Sequence, residues 1–219
     1  MKNLILIPAV TRNPVISYFL TEEQRLDQLI VTIKSVNEKI PNCHVVVMEG
    51  GTYIEEDNNK MLAAGAHEIF NYDLCLNGKR LSDPNRSKSY GEMTLFLEFF
   101  NSSSFAAIKD NLLSISKVGG RGILNENFKF VEDDKCVMNF THSAWSGLGA
   151  CSGRHWKIPY SLFNHYITQL NLLYENFNSV IDIEHGFYVY NVVPLEGLEP
   201  EQAVGISALT SGNGLFEEA

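Results

Sequence analysis

A short, continuous apolar run, Leu4–Val10, and a second buried-strand pattern, Cys43–Met48, flank a stretch with helical spacing, and this alternation narrows the fold more than any other feature. A strand with one wet face alternates apolar and polar residues, whereas a strand covered on both faces reads as a continuous apolar run. Between the runs, Thr21 followed by Glu22 and Glu23 marks a helix start, because a hydroxyl cap and early acids suit the positive end of a helix. Leu26, Leu29, Ile30, Ile33 and Val36 recur at helical spacing, and Pro41-Asn42 stops the helix. Glu49-Gly50-Gly51 closes the second run; a polar helix around Ile54–Ala64 and a third short strand, His67–Tyr72, follow. Strand and helix in this order predict a βαβαβ half with a parallel sheet.

Asp73–Tyr90 is polar and carries Lys79, Arg80, Arg86 and Lys88, as in a long functional loop. An apolar helix then spans Gly91–Phe100, and Leu112–Val118 reads as another buried strand that runs into Gly119-Gly120-Arg121. Beyond Glu132 the pattern shifts to short, glycine-broken strands at Cys136–Phe140 and around Gly147–Trp156. Pro159 is expected in the first turn of a helix reaching about Phe177, a position where proline is tolerated. Ile181–Val193 and Val204–Phe216 complete the chain. The expectation is one α/β domain over 1–219, with helices on both faces, a parallel N-terminal half over about 1–118 and a mixed C-terminal half over about 119–219.

Composition excludes several classes. A hydrophobic share of 45% and a charged share of 20% are those of a globular protein. A net charge of −9 argues against a basic-patch nucleic-acid reader. Cys43, Cys75, Cys136 and Cys151 form no CxxC pair, the N-terminus reads as a strand rather than a signal peptide, and no apolar stretch has the length of a membrane span. A soluble, cytoplasmic protein with free thiols is expected.

In open α/β sheets, ligands bind beyond the carboxyl ends of the strands. Thr11-Arg12, Glu49-Gly50-Gly51 and Gly119-Gly120-Arg121 each sit just past such an end, so all three are expected around one crevice. Arg121, flanked by Gly120 and Gly122, contributes little to packing and presents a side chain suited to phosphate. Arg86-Ser-Lys88-Ser-Tyr90-Gly-Glu92 gathers two cations, two hydroxyls and a helix start, which also favours phosphate, although it lacks the order of a Walker loop. Each piece has a plain alternative: a surface arginine, a tight turn, a solvated loop, a core tyrosine. Asp182-Ile-Glu184-His185 supplies two carboxylates and an imidazole; in a helix Asp182 and His185 share a face, in a strand Asp182 and Glu184 do. Such a group serves as base, metal ligand or orienting pair, or is simply a helix-start acid pair with a core histidine. Asp133-Asp134 reads as solvent-facing, the histidines lack zinc spacing, and metal ligands are left unassigned.

Several segments resemble small glycosyltransferase-like proteins of large DNA viruses, phages and bacteria, within the nucleotide-diphospho-sugar transferase superfamily with the GT-A fold. They are Pro8-Ala-Val-Thr-Arg12, Thr32–Val36 with Ile40-Pro-Asn42, Val47-Met-Glu-Gly50, Ser87–Glu92, Ser116–Arg121 with Leu124–Phe128, and Ile183-Glu-His185. The resemblance implies a UDP- or GDP-sugar donor and a carbohydrate acceptor, with Thr11, Arg12, Glu49 and Gly50 at the nucleotide. Arg86, Lys88, Glu92, Gly120 and Arg121 would lie at the diphosphate or donor sugar, and Glu184 or His185 near the reaction centre. Many superfamily members hold Mn2+ or Mg2+ with an Asp-x-Asp motif after the central strand; Gly119-Gly120-Arg121 stands there instead, which weighs against a metal. A cation can stabilise a departing diphosphate as a divalent ion does. Two other readings accompany this one: a nucleotide-sugar-binding protein without catalysis, and a nucleotidyltransferase. The sequence carries no signal for oligomeric state.

Overall fold

Leu4, Ile5, Leu6 and Ile7 have no solvent exposure at all, because strand β1 (Lys2–Ala9) lies inside a sheet covered on both faces. A computed structural model of the chain describes residues 1–12, 20–74, 88–132, 134–142, 149–177, 183–194, 205–209 and 216–218. After β1 come α1 (Glu22–Lys39), β2 (Cys43–Glu49), α2 (Glu55–Ala63), β3 (Glu68–Asn71), α3 (Lys88–Phe100) and α4 (Ser103–Ile108). The second half supplies β4 (Leu112–Val118), β5 (Gly122–Leu124), β6 (Val137–His142), β7 (Gly149–Pro159), α5 (Phe163–Asn176), α6 (Ile183–Val189), β8 (Ile206–Leu209) and β9 (Phe216–Glu218).

The main sheet has the order β3-β2-β1-β4-β7-β6. Its first four strands are parallel, and β7 runs antiparallel to both β4 and β6. This is the expected parallel N-terminal half joined to a mixed C-terminal half. Alternate residues of β1 and β2 feed two cores. Ile5, Ile7, Val45 and Val47 pack with Leu26, Leu29, Ile33 and Val36 of α1 and with Met61 of α2. Leu4, Leu6, Val46 and Met48 pack against Phe96 and Phe99 of α3, Leu170 of α5 and Phe187 of α6. A small antiparallel sheet, β5-β8-β9, lies beyond β4.

Local chemistry explains the best-defined boundary. The Thr21 hydroxyl accepts from the Gln24 backbone N–H, and the Gln24 side chain accepts from the Thr21 backbone N–H, a reciprocal capping box. Elsewhere boundaries moved. Helix α3 begins at Lys88, three residues before the expected Gly91. Pro159 is the last residue of β7 and precedes one 3-10 turn, so α5 starts only at Phe163. Its φ of −64° fits an extended residue as well as a first helical turn, so the ring alone did not decide between them. Strand β7 runs for 11 residues through Gly149 and Gly153 where short broken strands were expected. Cys43 and Cys136 are free thiols. Among the described residues no helix is long and apolar enough to cross a membrane.

Candidate active site

The loops leaving β1 and β2 are tied together by one buried carboxylate. Glu49, 2% exposed, accepts from the Thr11 backbone N–H at 3.0 and 3.2 Å, from the Thr11 hydroxyl at 2.9 Å and from the Gly51 N–H at 2.7 Å. Burial raises the Glu49 pKa above its ordinary value, and these donors offset only part of that rise. The Gly50 N–H donates to the Ala9 carbonyl at 2.9 Å and the Thr52 N–H to the Arg12 carbonyl at 3.1 Å. A Cβ at Gly51 would lie 2.1 Å from that Arg12 carbonyl oxygen, so only glycine allows the two loops to close on each other. Gly50 is buried under Leu74 and Leu95. Of the residues expected at the nucleotide, the Thr11 hydroxyl and the Glu49 carboxylate are bonded to each other, and the Gly50 N–H to Ala9.

Arg12 is likewise engaged by neighbouring side chains. Its Nε and Nη2 grip Asp57 at 2.6 and 3.1 Å, and its Nη1 reaches Glu22 at 3.1 Å and Glu23 at 3.0 Å. Asp57, foremost, and Glu22 raise the Arg12 pKa above its ordinary value. This guanidinium fastens the starts of α1 and α2, and a phosphate placed there would also face three carboxylates.

The turn after β4 does lie beside the end of β1. A Cβ on Gly120 would meet the Pro8 carbonyl oxygen at 2.8 Å and the Ala9 Cβ at 3.3 Å, and the Thr32 hydroxyl of α1 reaches the Gly120 carbonyl at 3.4 Å. Arg121 is half-buried at the tip. The three strand ends are thus adjacent, as the topology required. The same turn borders β7, where the Gly119 N–H donates to the Arg154 carbonyl at 2.8 Å.

Next to that contact is a crevice lined by Glu92, Lys117, Gly153, Trp156, Ile183, Glu184 and Phe187. Lys117, next to last in β4, forms an ion pair with Glu92 of α3, and the two side chains are 4% and 15% exposed. The Ser89 hydroxyl accepts from the Ile183 N–H at 3.1 Å, joining the start of α3 to the start of α6. Glu184 reaches across to β7, where its carboxylate lies against Gly153. Two carboxylates and an ammonium therefore share an otherwise apolar recess formed by Trp156, Ile183 and Phe187. A carboxylate there can accept a proton, and an ammonium can stabilise developing negative charge.

Of the expected residues, Glu92 and Glu184 meet in this crevice, with Gly120 and Arg121 in the neighbouring turn. His185 follows Glu184 in α6, half-buried and absent from the lining. That segment is helical from Ile183, which resolves the helix-or-strand alternative; Asp182 lies outside the described residues, as do Arg86, Asp133 and the side chain of Lys88. Lys117, Gly153, Asp57 and Trp156 were not singled out. Lys117 had a signal: a lysine inside an apolar strand is rarely buried unless paired. Among the described residues no group of three or more His, Cys, Asp or Glu side chains could hold a metal ion. The turn after β4, Gly119-Gly120-Arg121, itself carries no carboxylate.

No protein-family model matches the chain, and no curated protein matches it. Solved structures do. An active-site mutant of LgtC superposes with a TM-score of 0.51 at 11% identity, over 91% of this chain and 72% of that one. GlyE, a glycosyltransferase of Streptococcus pneumoniae, gives 0.45 at 10% identity over 92% and 45% of the two chains. The 4-diphosphocytidyl-2C-methyl-D-erythritol synthase of Anaerococcus prevotii gives 0.43 at 10% over 91% and 86%. The match to LgtC establishes a GT-A-like fold, as the resemblance implied.

Proposed function

We propose that this chain is a glycosyltransferase that moves a sugar from a nucleotide-diphosphate donor, a UDP- or GDP-sugar, to a carbohydrate hydroxyl. The observation that carries the reading is the meeting of Glu92, Lys117 and Glu184 beside the turn after β4, on a fold shared with LgtC, which is described as a galactosyltransferase. In this reading residues of about 1–118 hold the nucleotide and about 119–219 the donor sugar and acceptor. Glu184 accepts the proton of the attacking hydroxyl. Arg121 and the Arg86–Lys88 segment meet the charge that grows on the departing diphosphate, and Lys117 with Glu92 holds the floor of the site. No step is assigned to a metal.

The test uses purified protein, a panel of nucleotide sugars and a set of oligosaccharide acceptors. A donor that raises the melting temperature and is consumed only in the presence of an acceptor supports the reading, since a ligand that binds the folded state stabilises it. Glu184→Gln keeps the donor-induced thermal shift and lowers turnover by roughly 10²–10⁴-fold, the range for losing a general base. Donor binding without turnover in any combination would favour a binding protein instead, and pyrophosphate release from a nucleoside triphosphate would favour a nucleotidyltransferase.

A further inference from the structure

We infer that Gly153 is a positioning residue for Glu184, present because any side chain at that point of β7 would displace the carboxylate. The inference rests on Glu184 being the reacting carboxylate. A Cβ built on Gly153 would lie 2.3 Å from Glu184 Oε1, 3.1 Å from its Cδ and 3.3 Å from its Cγ. The first distance is far inside van der Waals contact, and the whole end of the glutamate is crowded. Its other end is fixed to the backbone of α6, a helix whose own first N–H is held by Ser89.

The backbone of Gly153 gives no separate reason for glycine. The described glycines with positive φ are Gly65 and Gly205, so at Gly153 the chain has a conformation open to any residue. What a side chain would meet is the end of Glu184, which would have to move to make room. The surrounding strand is also unusual. Met138 of β6 pairs with Trp156 of β7, but Phe140 pairs with Cys151, so two steps along β6 correspond to five along β7. The extra length of β7 includes Gly153. Such bulges re-aim neighbouring residues and recur next to active sites. Here the bulge brings bare backbone to Glu184 and places it past the end of β4, where Gly119 adjoins Gly153 and Arg154. Glu184 is thereby seated in the same recess as Lys117 and Glu92.

Two measurements test this, one of them independent of any activity. In a melting-temperature cycle, Gly153→Ala lowers the Tm when Glu184 is present and has little effect in a Glu184→Ala background, where the clash is gone. Equal shifts in both backgrounds would overturn the inference. Should Gly153→Ala alone fail to fold, recovery of folding in the double variant supports the contact, and failure of both refutes it. In transfer assays, Gly153→Ala lowers kcat by ~10²-fold, the scale of a displacement of about 1 Å at a reacting group, while the donor Kd stays near that of the wild type. Shortening the acid in Gly153→Ala/Glu184→Asp recovers part of that loss, which a purely structural role would not produce. If the thermal cycle shows coupling but wild-type protein consumes no nucleotide sugar, the seat for Glu184 stands and the glycosyltransferase reading falls.

Discussion

Lowering the pH from 7.5 to 4.5 should weaken this fold through one buried imidazole, and replacing that imidazole should remove the effect. His155 of β7 is 3% exposed, sits edge-on to the Phe128 ring at 5.5 Å, and neither ring nitrogen has a hydrogen-bond partner among the described residues. Burial, with a smaller contribution from nearby Lys157, lowers its pKa from 6.5 to about 4. The folded state thus binds the proton later than the unfolded chain. Stability is fully present above about pH 6.5 and is lost as the pH falls towards 4. At pH 4.5 the unfolded chain is favoured by roughly 2.5 kcal/mol through this group, with no discount for solvent because the ring is enclosed. Glu49, whose pKa is raised, works in the opposite sense over the acid range, so the wild type alone cannot isolate the histidine. A comparison with His155→Leu can, since every other group cancels. Urea unfolding followed by the fluorescence of buried Trp156 at pH 7.5, 6.5, 5.5 and 4.5 should show the gap between the two proteins closing, or reversing, by about 2.5 kcal/mol in favour of the variant. Parallel curves across that range would refute the assignment.

Two further outcomes concern the charged clusters. Glu92→Gln leaves the Lys117 ammonium buried without its carboxylate and should cost about 3–5 kcal/mol in urea unfolding, whereas Glu92→Leu with Lys117→Met should recover most of that, because an apolar pair needs no compensation. Arg12→Ala should destabilise the protein by about 1–3 kcal/mol, since Asp57 is buried beneath it, yet leave nucleotide-sugar affinity within about threefold; a loss of more than tenfold would return Arg12 to the ligand site.

The sheet was legible because its signals are local. The apolar runs of β1, β2 and β4, the Thr21 cap and the stripe on α1 are each read within one element, and the order of elements supplies the parallel pairing. The candidate site was legible only as a neighbourhood. That the turns at Arg12, Gly51 and Gly120 adjoin follows from topology. What each side chain does there depends on partners far away in sequence. Arg12 and Asp57 are 45 residues apart, Glu49 and Thr11 are 38 apart, and Lys117 and Glu92 are 25 apart. An arginine beside a strand end looks the same in sequence whether phosphate or aspartate awaits it. Gly153 was hidden for a related reason: its sequence neighbours read as a broken strand, and the need for glycine comes from Glu184 on another element.

Glu49 and Glu184 show how environment, more than residue type, divides support from chemistry under the proposed reading. Both are glutamates close to the ends of the central strands. Glu49 is enclosed and accepts from two backbone N–H groups and one hydroxyl, so its oxygens are saturated and any movement breaks several charge-assisted bonds at once. That rigidity suits a residue that fixes the relative position of two loops. Glu184 instead projects from a short helix into a recess with Trp156, Phe187 and Lys117, its carboxylate lying against the bare backbone of Gly153. In the proposed reading that carboxylate takes the proton of the acceptor hydroxyl. The two glutamates thus differ in surroundings: one is bound into loop-to-loop hydrogen bonds, the other faces a crevice shared with Lys117 and Glu92.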